Sequence, residues 1–231
     1  MKSSTMLLAT SHRRPLAALA LGLLLVLAWD ASGLDLALAR CFGGPGGFPA
    51  REAFWSRDLL HAGLRNLWML AWLLLAVDAW RRRPARSGPS RRERRLALAA
   101  GLLVLVIVPA LKGLSHSSCP WSLLEFGGSS PWVSHWDWTL RDGGPGHCFP
   151  SGHTAGAIAF SPFAWIWGRR AWGLVAVVAG LAALAQMARG AHFLSHSLWA
   201  AWIGIALGWL LLQLLGNLTW RRAPAAGLTP S

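Results

Sequence analysis

The chain has 231 residues, 54% of them hydrophobic and only 13% charged, with a net charge of +13. The apolar residues fall in long blocks, a membrane composition that excludes an ordinary soluble domain. The basic residues are almost all Arg placed between those blocks, so the charge reads as membrane topology and not as a nucleic-acid surface.

In chain order, six apolar segments stand at about 15–38, 59–80, 96–111, 153–168, 171–189 and 197–216. A hydrocarbon core of about 30 Å takes roughly 20 helical residues, so the third and fourth are short and are expected to end in protein-lined space. The first follows Lys2, Arg13 and Arg14, and Ala37-Leu38-Ala39 imitates a signal-peptidase site. Trp29, Asp30 and Asp35 push that site far beyond the apolar run, so a retained helix is expected.

Between the second and third segments lie Arg81, Arg82, Arg83, Arg86, Arg91, Arg92, Arg94 and Arg95, opposed only by Glu93. The positive-inside rule makes that loop cytoplasmic. With six spans, Arg169 and Arg170 and the tail with Arg221 and Arg222 fall on the same side as the N-terminal cluster. The expectation is an all-α integral membrane protein, one domain over 1–231. It is a bundle of six transmembrane helices with both termini and the tail 217–231 in the cytoplasm.

Polar residues then gather on the other side. Lys112 ends the third segment, Pro150-Ser151-Gly152-His153 opens the fourth, and Arg189 ends the fifth with His192 and His196 just beyond. Ionisable groups at membrane depth are costly and usually functional. A phosphate monoester needs cationic donors, a nucleophile and an acid for the leaving oxygen. Lys112 and Arg189 supply charge, and the Ser151 hydroxyl with the Gly152 amide supplies donors at a helix start. Two histidines complete the set, one attacking phosphorus and one protonating the departing group.

These residues resemble the type 2 phosphatidic acid phosphatases, whose signatures are K-x6-R-P, P-S-G-H and S-R-x5-H-x3-D. Here Lys112 is followed after six residues by Cys119-Pro120, then come Pro150-Ser151-Gly152-His153 and His192-Phe193-Leu194-Ser195-His196. The resemblance covers about 95–205, taken as the catalytic core. It implies that His192 is the nucleophile and His153 the general acid, with Lys112, Ser151 and Gly152 holding phosphate.

Three positions depart from that pattern. Cys119 stands at the first-signature Arg, Gln186 at the third-signature Arg, and His196 at the Asp that orients the nucleophile. Cys-Pro-Trp, Cys-Phe-Pro and Gly-Ala-His-Phe-Leu-Ser-His look like a distinct membrane-associated branch, which implies an Arg at position 186 and a Gln at 189. The two stand exchanged here. Residues three apart share a helix face, so Gln186 and Arg189 both stay candidates for phosphate binding. His196 can accept a proton but cannot match a carboxylate, and Asp142, Asp137 or Glu125 of the long outer loop are candidates to orient His192.

Cys41, Cys119 and Cys148 all fall outside in this topology, where disulfides persist. A Cys119–Cys148 bond would close a loop of about 30 residues and stabilise by roughly 3–4 kcal/mol in the chain-entropy model; the alternative is a pair of free buried thiols. Trp121, Trp132, Trp136 and Trp138 favour the water–lipid boundary, either to receive a lipid headgroup or to anchor the loop without substrate contact. His61 and Arg65, four apart at the outer end of the second segment, are candidates to face the site, with an interfacial place favoured over that.

Two rival readings are weighed against the enzyme. His192 and His196 with His153 have spacing suited to a three-His zinc site, but no H-E-x-x-H pattern is present and Lys112 with Arg189 would repel a cation. No metal or other cofactor is therefore expected. A lipid or ion transporter would need polar residues in mid-helix or broken helices at the bilayer centre, whereas the polar residues here sit at one end. The expected partners are a phosphorylated lipid and the bilayer. The expected place is a bacterial inner membrane with the site periplasmic, and hydrolysis and phosphoryl transfer to a second lipid need the same residues.

Overall fold

A computed structural model describes residues 13–82, 88–137 and 139–221, with side chains to 216. Lys2, Arg83, Arg86, Trp138 and Arg222 lie outside the described residues, as does most of the predicted tail. The described chain is helical, with no strand. Its helices are α1 (Arg13–Ser32), α2 (Leu34–Arg40), a π-helix (Trp55–Gly63) running into α3 (Leu64–Trp80), α4 (Arg91–Gly113), α5 (Gly152–Ile158), α6 (Ser161–Trp167), α7 (Arg169–Ala188) and α8 (Leu194–Arg221). Two short 3-10 turns, Pro120–Ser122 and Leu124–Phe126, lie in the connection between α4 and α5.

Among the described residues, five stretches are long and apolar enough to cross a membrane: Arg13–Ser32, Trp55–Trp80, Arg91–Gly113, Arg169–Ala188 and Leu194–Gly216. Their packing runs opposite to that of a soluble protein. Small residues fill the inside, with Ala97, Ala100, Ala159, Ala164 and Ala200 fully buried, while Leu24, Leu73, Leu174 and Val177 point outward. Between membrane helices hydrophobicity gives no attraction, so close backbone approach through small residues must supply it. Gly204 illustrates this: a Cβ there would stand 2.6 Å from Ile158 Cγ2 of α5. Helix α8 is the hub, packing against α1, α4, α5 and α6.

Two sequence expectations need correction. The third segment is not short, because Ser90 starts the helix well before the apolar run. Its Oγ accepts from Glu93 N at 3.2 Å and Glu93 Oε2 accepts from Ser90 N at 2.7 Å, a capping box that adds a turn of arginines to make α4 23 residues long. The fourth segment is not one continuous helix but two helices of seven residues, α5 and α6. Pro162 in the first turn of α6 cannot donate, and its ring would clash with the Ile158 carbonyl of a continuous helix.

The arginine-rich start of α4 and the site residues occupy opposite ends of the bundle. At one end Arg92 Nη2 donates to Gly216 O at 3.1 Å and the Arg95 guanidinium lies 4.7 Å from the Trp80 ring centre. Arg94, only 1% exposed, pairs with Asp78 at 3.2 Å and donates to the Asp78, Pro89 and Arg81 carbonyls. The other end holds Lys112, the start of α5, the end of α7 and the start of α8.

Candidate active site

The start of α8 is set by how α7 stops. Gly190 takes φ 67°, Gly190 N donates to Met187 O at 2.9 Å, and Ala191 N donates to Gln186 O at 2.8 Å. This is a Schellman closure, and the left-handed residue must be Gly. A Cβ on Gly190 would also collide with Phe48, at 2.3 Å from Cδ2. The turn releases His192 two residues later, 4% exposed, and His196 enters α8 at 1%.

Helix α5 begins beside it. The Ser151 side chain accepts from Thr154 N at 3.4 Å, and Ser151 N donates to His196 O at 2.9 Å, which locks the start of α5 to the first turn of α8. Lys112, in the last turn of α4, comes across to Gly152, its Nζ 3.8 Å from where a Gly152 Cβ would stand. His153 then faces His192 with ring centres 6.4 Å apart, and the Lys112 charge acts on both rings. Since α5 has only seven residues, it contributes oriented donors more than the field of a long helix.

The loop between α4 and α5 is fastened to this cluster. Cys119 and Cys148 are joined by a disulfide with Cα atoms 5.2 Å apart, and Trp121 N donates to Gly190 O at 2.9 Å. Cys41 is free and exposed. Cys148 Sγ lies 3.4 Å from His192 Nδ1, and the Cys148 carbonyl faces both His192 and His196. Cys119, Cys148 and His192 place donor atoms within 4.8 Å of one another, but both sulfurs are spent in the disulfide and offer no thiolate to a metal.

Burial pushes His192 well below its ordinary value of 6.5, with the nearby His196, Lys112 and His153 acting in the same direction and the Cys148 backbone opposing. The ring is neutral at neutral pH. His196 meets it edge-on at 5.8 Å, with no hydrogen bond between the two.

The three loop carboxylates that are alternative candidates to orient His192 are engaged elsewhere. Asp142 accepts from Ser118 N at 2.6 Å, Ser118 Oγ at 2.9 Å and Gly144 N at 2.9 Å. Asp137 holds Thr139 and Leu140, and Glu125 pairs with Arg40. Two acids that the sequence offered only as evidence against a signal peptide fasten the site instead. Asp30 receives Trp136 Nε1 at 2.8 Å, Trp199 Nε1 at 2.7 Å and the His135 ring at 3.3 Å. Asp35 receives Trp29 Nε1 at 2.8 Å and Ser195 N at 3.1 Å.

Gln186 and Arg189 do not share a task. The Arg189 Nε donates to Arg51 O at 3.2 Å, although its charge still reaches His153 and His61. The Gln186 amide, 2% exposed, lies 3.4 Å from His61 Nδ1, and the His61 ring sits 4.3 Å from that of His153. His61 is thus part of the cluster, not an interfacial bystander, and the π-helix that carries it leaves no signal in apolar periodicity.

Lys112, Ser151, Gly152, His153 and His192 converge at neighbouring helix ends, a set of cationic, hydroxyl, amide and imidazole groups whose chemistry suits an anion. The family model of the PAP2 superfamily matches residues 94–220, more than half the chain, and the chain belongs to that superfamily. Its activity is therefore of the phosphatase or phosphotransferase type. No curated protein and no solved structure matches the chain.

Proposed function

We propose that this chain is a six-span phosphatase of the bacterial inner membrane, which hydrolyses a lipid phosphate or diphosphate at the periplasmic face through a phosphohistidine and without metal. One observation carries the reading: His192 and His153 face each other across 6.4 Å beside Lys112, Ser151 and Gly152. Ring centres at that distance put both imidazoles beside one phosphoryl group held at Lys112, so that a nucleophile and an acid are both available to it.

In the first step His192 attacks phosphorus. Its Nδ1 is turned to the Cys148 segment, so Nε2 carries the lone pair toward substrate. The N–P bond forms as the P–O bond to the lipid breaks, and His153 gives its proton to the leaving oxygen. Lys112 and the Ser151 and Gly152 donors hold the phosphoryl oxygens, with Arg189 adding charge from the rim. Water then attacks the phosphohistidine, gives a proton to His153 and restores neutral His192. The Cys148 carbonyl, held by the disulfide, does for His192 what a carboxylate does in the resembled family.

A lipid substrate suits the surroundings. An apolar cleft of about 280 Å³ runs from Leu111 and Leu114 past Phe149 to Trp199, Trp202 and Ile203, alongside Pro150. With α5 and α6 counted as one span, the arginine end is cytoplasmic and the histidine end periplasmic.

Purified protein in detergent with chelator, screened against phosphatidic acid, phosphatidylglycerol phosphate, a prenyl diphosphate and lipid A phosphates, tests the reaction. Free phosphate released from at least one lipid supports it. Phosphoryl transfer to a second lipid without free phosphate would make the enzyme a phosphotransferase, and activity lost to the chelator would overturn the metal-free mechanism. Cysteine reporters at 81–95 and 130–140 that label from the same face would refute the topology.

A further inference from the structure

Beyond the residues already given roles, one ring touches the proposed acid. The His61 ring centre lies 4.3 Å from that of His153 at an interplanar angle of 42°. The His153 Nδ1 is buried and has no hydrogen-bond partner among the described residues, so no hydrogen bond on that side fixes the ring. Its described aromatic neighbours are His61 and, further off, His192. His61 is itself held, since its Nδ1 faces the Gln186 amide at 3.4 Å. That contact makes Nδ1 the acceptor and puts the His61 proton on Nε2.

Local backbone brings His61 there. It lies in the last turn of the π-helix Trp55–Gly63, where Ser56 is fully buried and its Oγ donates to Ala53 O at 3.0 Å. A π-helical stretch shifts the phase of the side chains relative to a regular helix, and such stretches concentrate at functional sites. Arg65, one turn later, is exposed while His61 is turned to α5 and α7.

We propose that His61 is a positioning residue for the general acid: its ring, held by Gln186, fixes the orientation of His153. The inference rests on the proposed role of His153 as acid. It also gives Gln186 a task other than phosphate binding at the position where the resembled family carries Arg.

The test compares kcat on an alkyl phosphate, whose leaving oxygen needs a proton, with kcat on an aryl phosphate, which does not. His61→Ala is expected to lower kcat on the alkyl substrate roughly tenfold, with KM and the aryl rate little changed. In a His153→Ala background the same substitution is expected to cost nothing further, because the two act as one unit. His61→Phe, which keeps a ring against His153, should recover most of the loss, and Gln186→Leu should give the same alkyl-selective defect in weaker form. Thermal midpoints in detergent verify that each variant is folded, and Gln186→Leu serves should His61→Ala not fold. Equal losses on both substrates, or an undiminished loss in the His153→Ala background, would overturn the inference while leaving the acid intact. If His153→Ala itself shows no alkyl-selective loss, the acid assignment fails and this inference fails with it.

Discussion

Arg94 at one end of the bundle and the histidines at the other are buried ionisable groups in opposite conditions. At the arginine end, Arg94 is buried with an ion pair to Asp78 and three carbonyl acceptors. At the histidine end, the Nδ1 atoms of His153 and His196 are buried without partners among the described residues, and His192 is kept neutral by burial beside Lys112. A buried group whose hydrogen bonds are complete serves the fold. A cluster that leaves them incomplete is poised for something not yet bound.

Substitutions at the two ends should therefore separate activity from stability. The largest effect is expected from His192→Ala, which should abolish turnover while the thermal midpoint stays close to that of the unaltered protein. Arg94→Met should do the reverse, costing about 3–5 kcal/mol through the charge left on Asp78 while the kcat of folded protein is retained. A His192→Ala variant that unfolds, or an Arg94→Met variant that folds normally but is inactive, would break the comparison. Next in size, His153→Ala should lose about 10²–10⁴ in rate on an alkyl phosphate and far less on an aryl phosphate.

The disulfide sharpens the same contrast, because it belongs only to the histidine end. Reducing Cys119–Cys148 removes a constraint across a sequence separation of 29, worth roughly 3–4 kcal/mol in the chain-entropy model. It also frees the Cys148 segment that faces His192. Reduction, or Cys119→Ser with Cys148→Ser, should lower both thermal midpoint and kcat, read by unfolding scans and phosphate release. A fall in stability with kcat unchanged would remove the Cys148 segment from the mechanism.

The smallest effect is on pH dependence. His192 and His135 both lie below their ordinary 6.5 through burial, with Asp30 partly opposing at His135. The unfolded chain therefore binds protons that the folded chain resists. Stability should be full above about pH 6.5 and fall as pH drops below it, by at most about 1.4 kcal/mol per pH unit for each group. His192→Gln should flatten part of that slope in unfolding scans from pH 7 to 5, and an unchanged slope would count against a neutral buried His192.

Much of the site was legible in the sequence because each piece lies in a short contiguous run at a helix end: Lys112, Ser151-Gly152-His153, and His192 through His196. Helix existence followed from the long apolar blocks, but their limits did not. The amphipathic turn Arg91–Arg95 is invisible to an apolar count although Ser90 and Glu93 cap it, and Pro162 divides a run that composition makes look continuous. The side-chain partners of Asp30, and the Ser195 amide that Asp35 holds, lie more than 100 residues away in chain, so nothing local could assign them. Spacing alone leaves His61 open to a site-facing or an interfacial place, and its contact with His153 is visible only in the fold.

The central claim is that phosphate passes through His192, and it is tested most directly by rapid acid-free quenching of the purified protein with a labelled lipid phosphate, followed by peptide mapping. The account predicts a base-stable, acid-labile label on the peptide holding His192, absent in His192→Ala and accumulating when water attack is slowed. Label on another residue, or full turnover by His192→Ala, would contradict it.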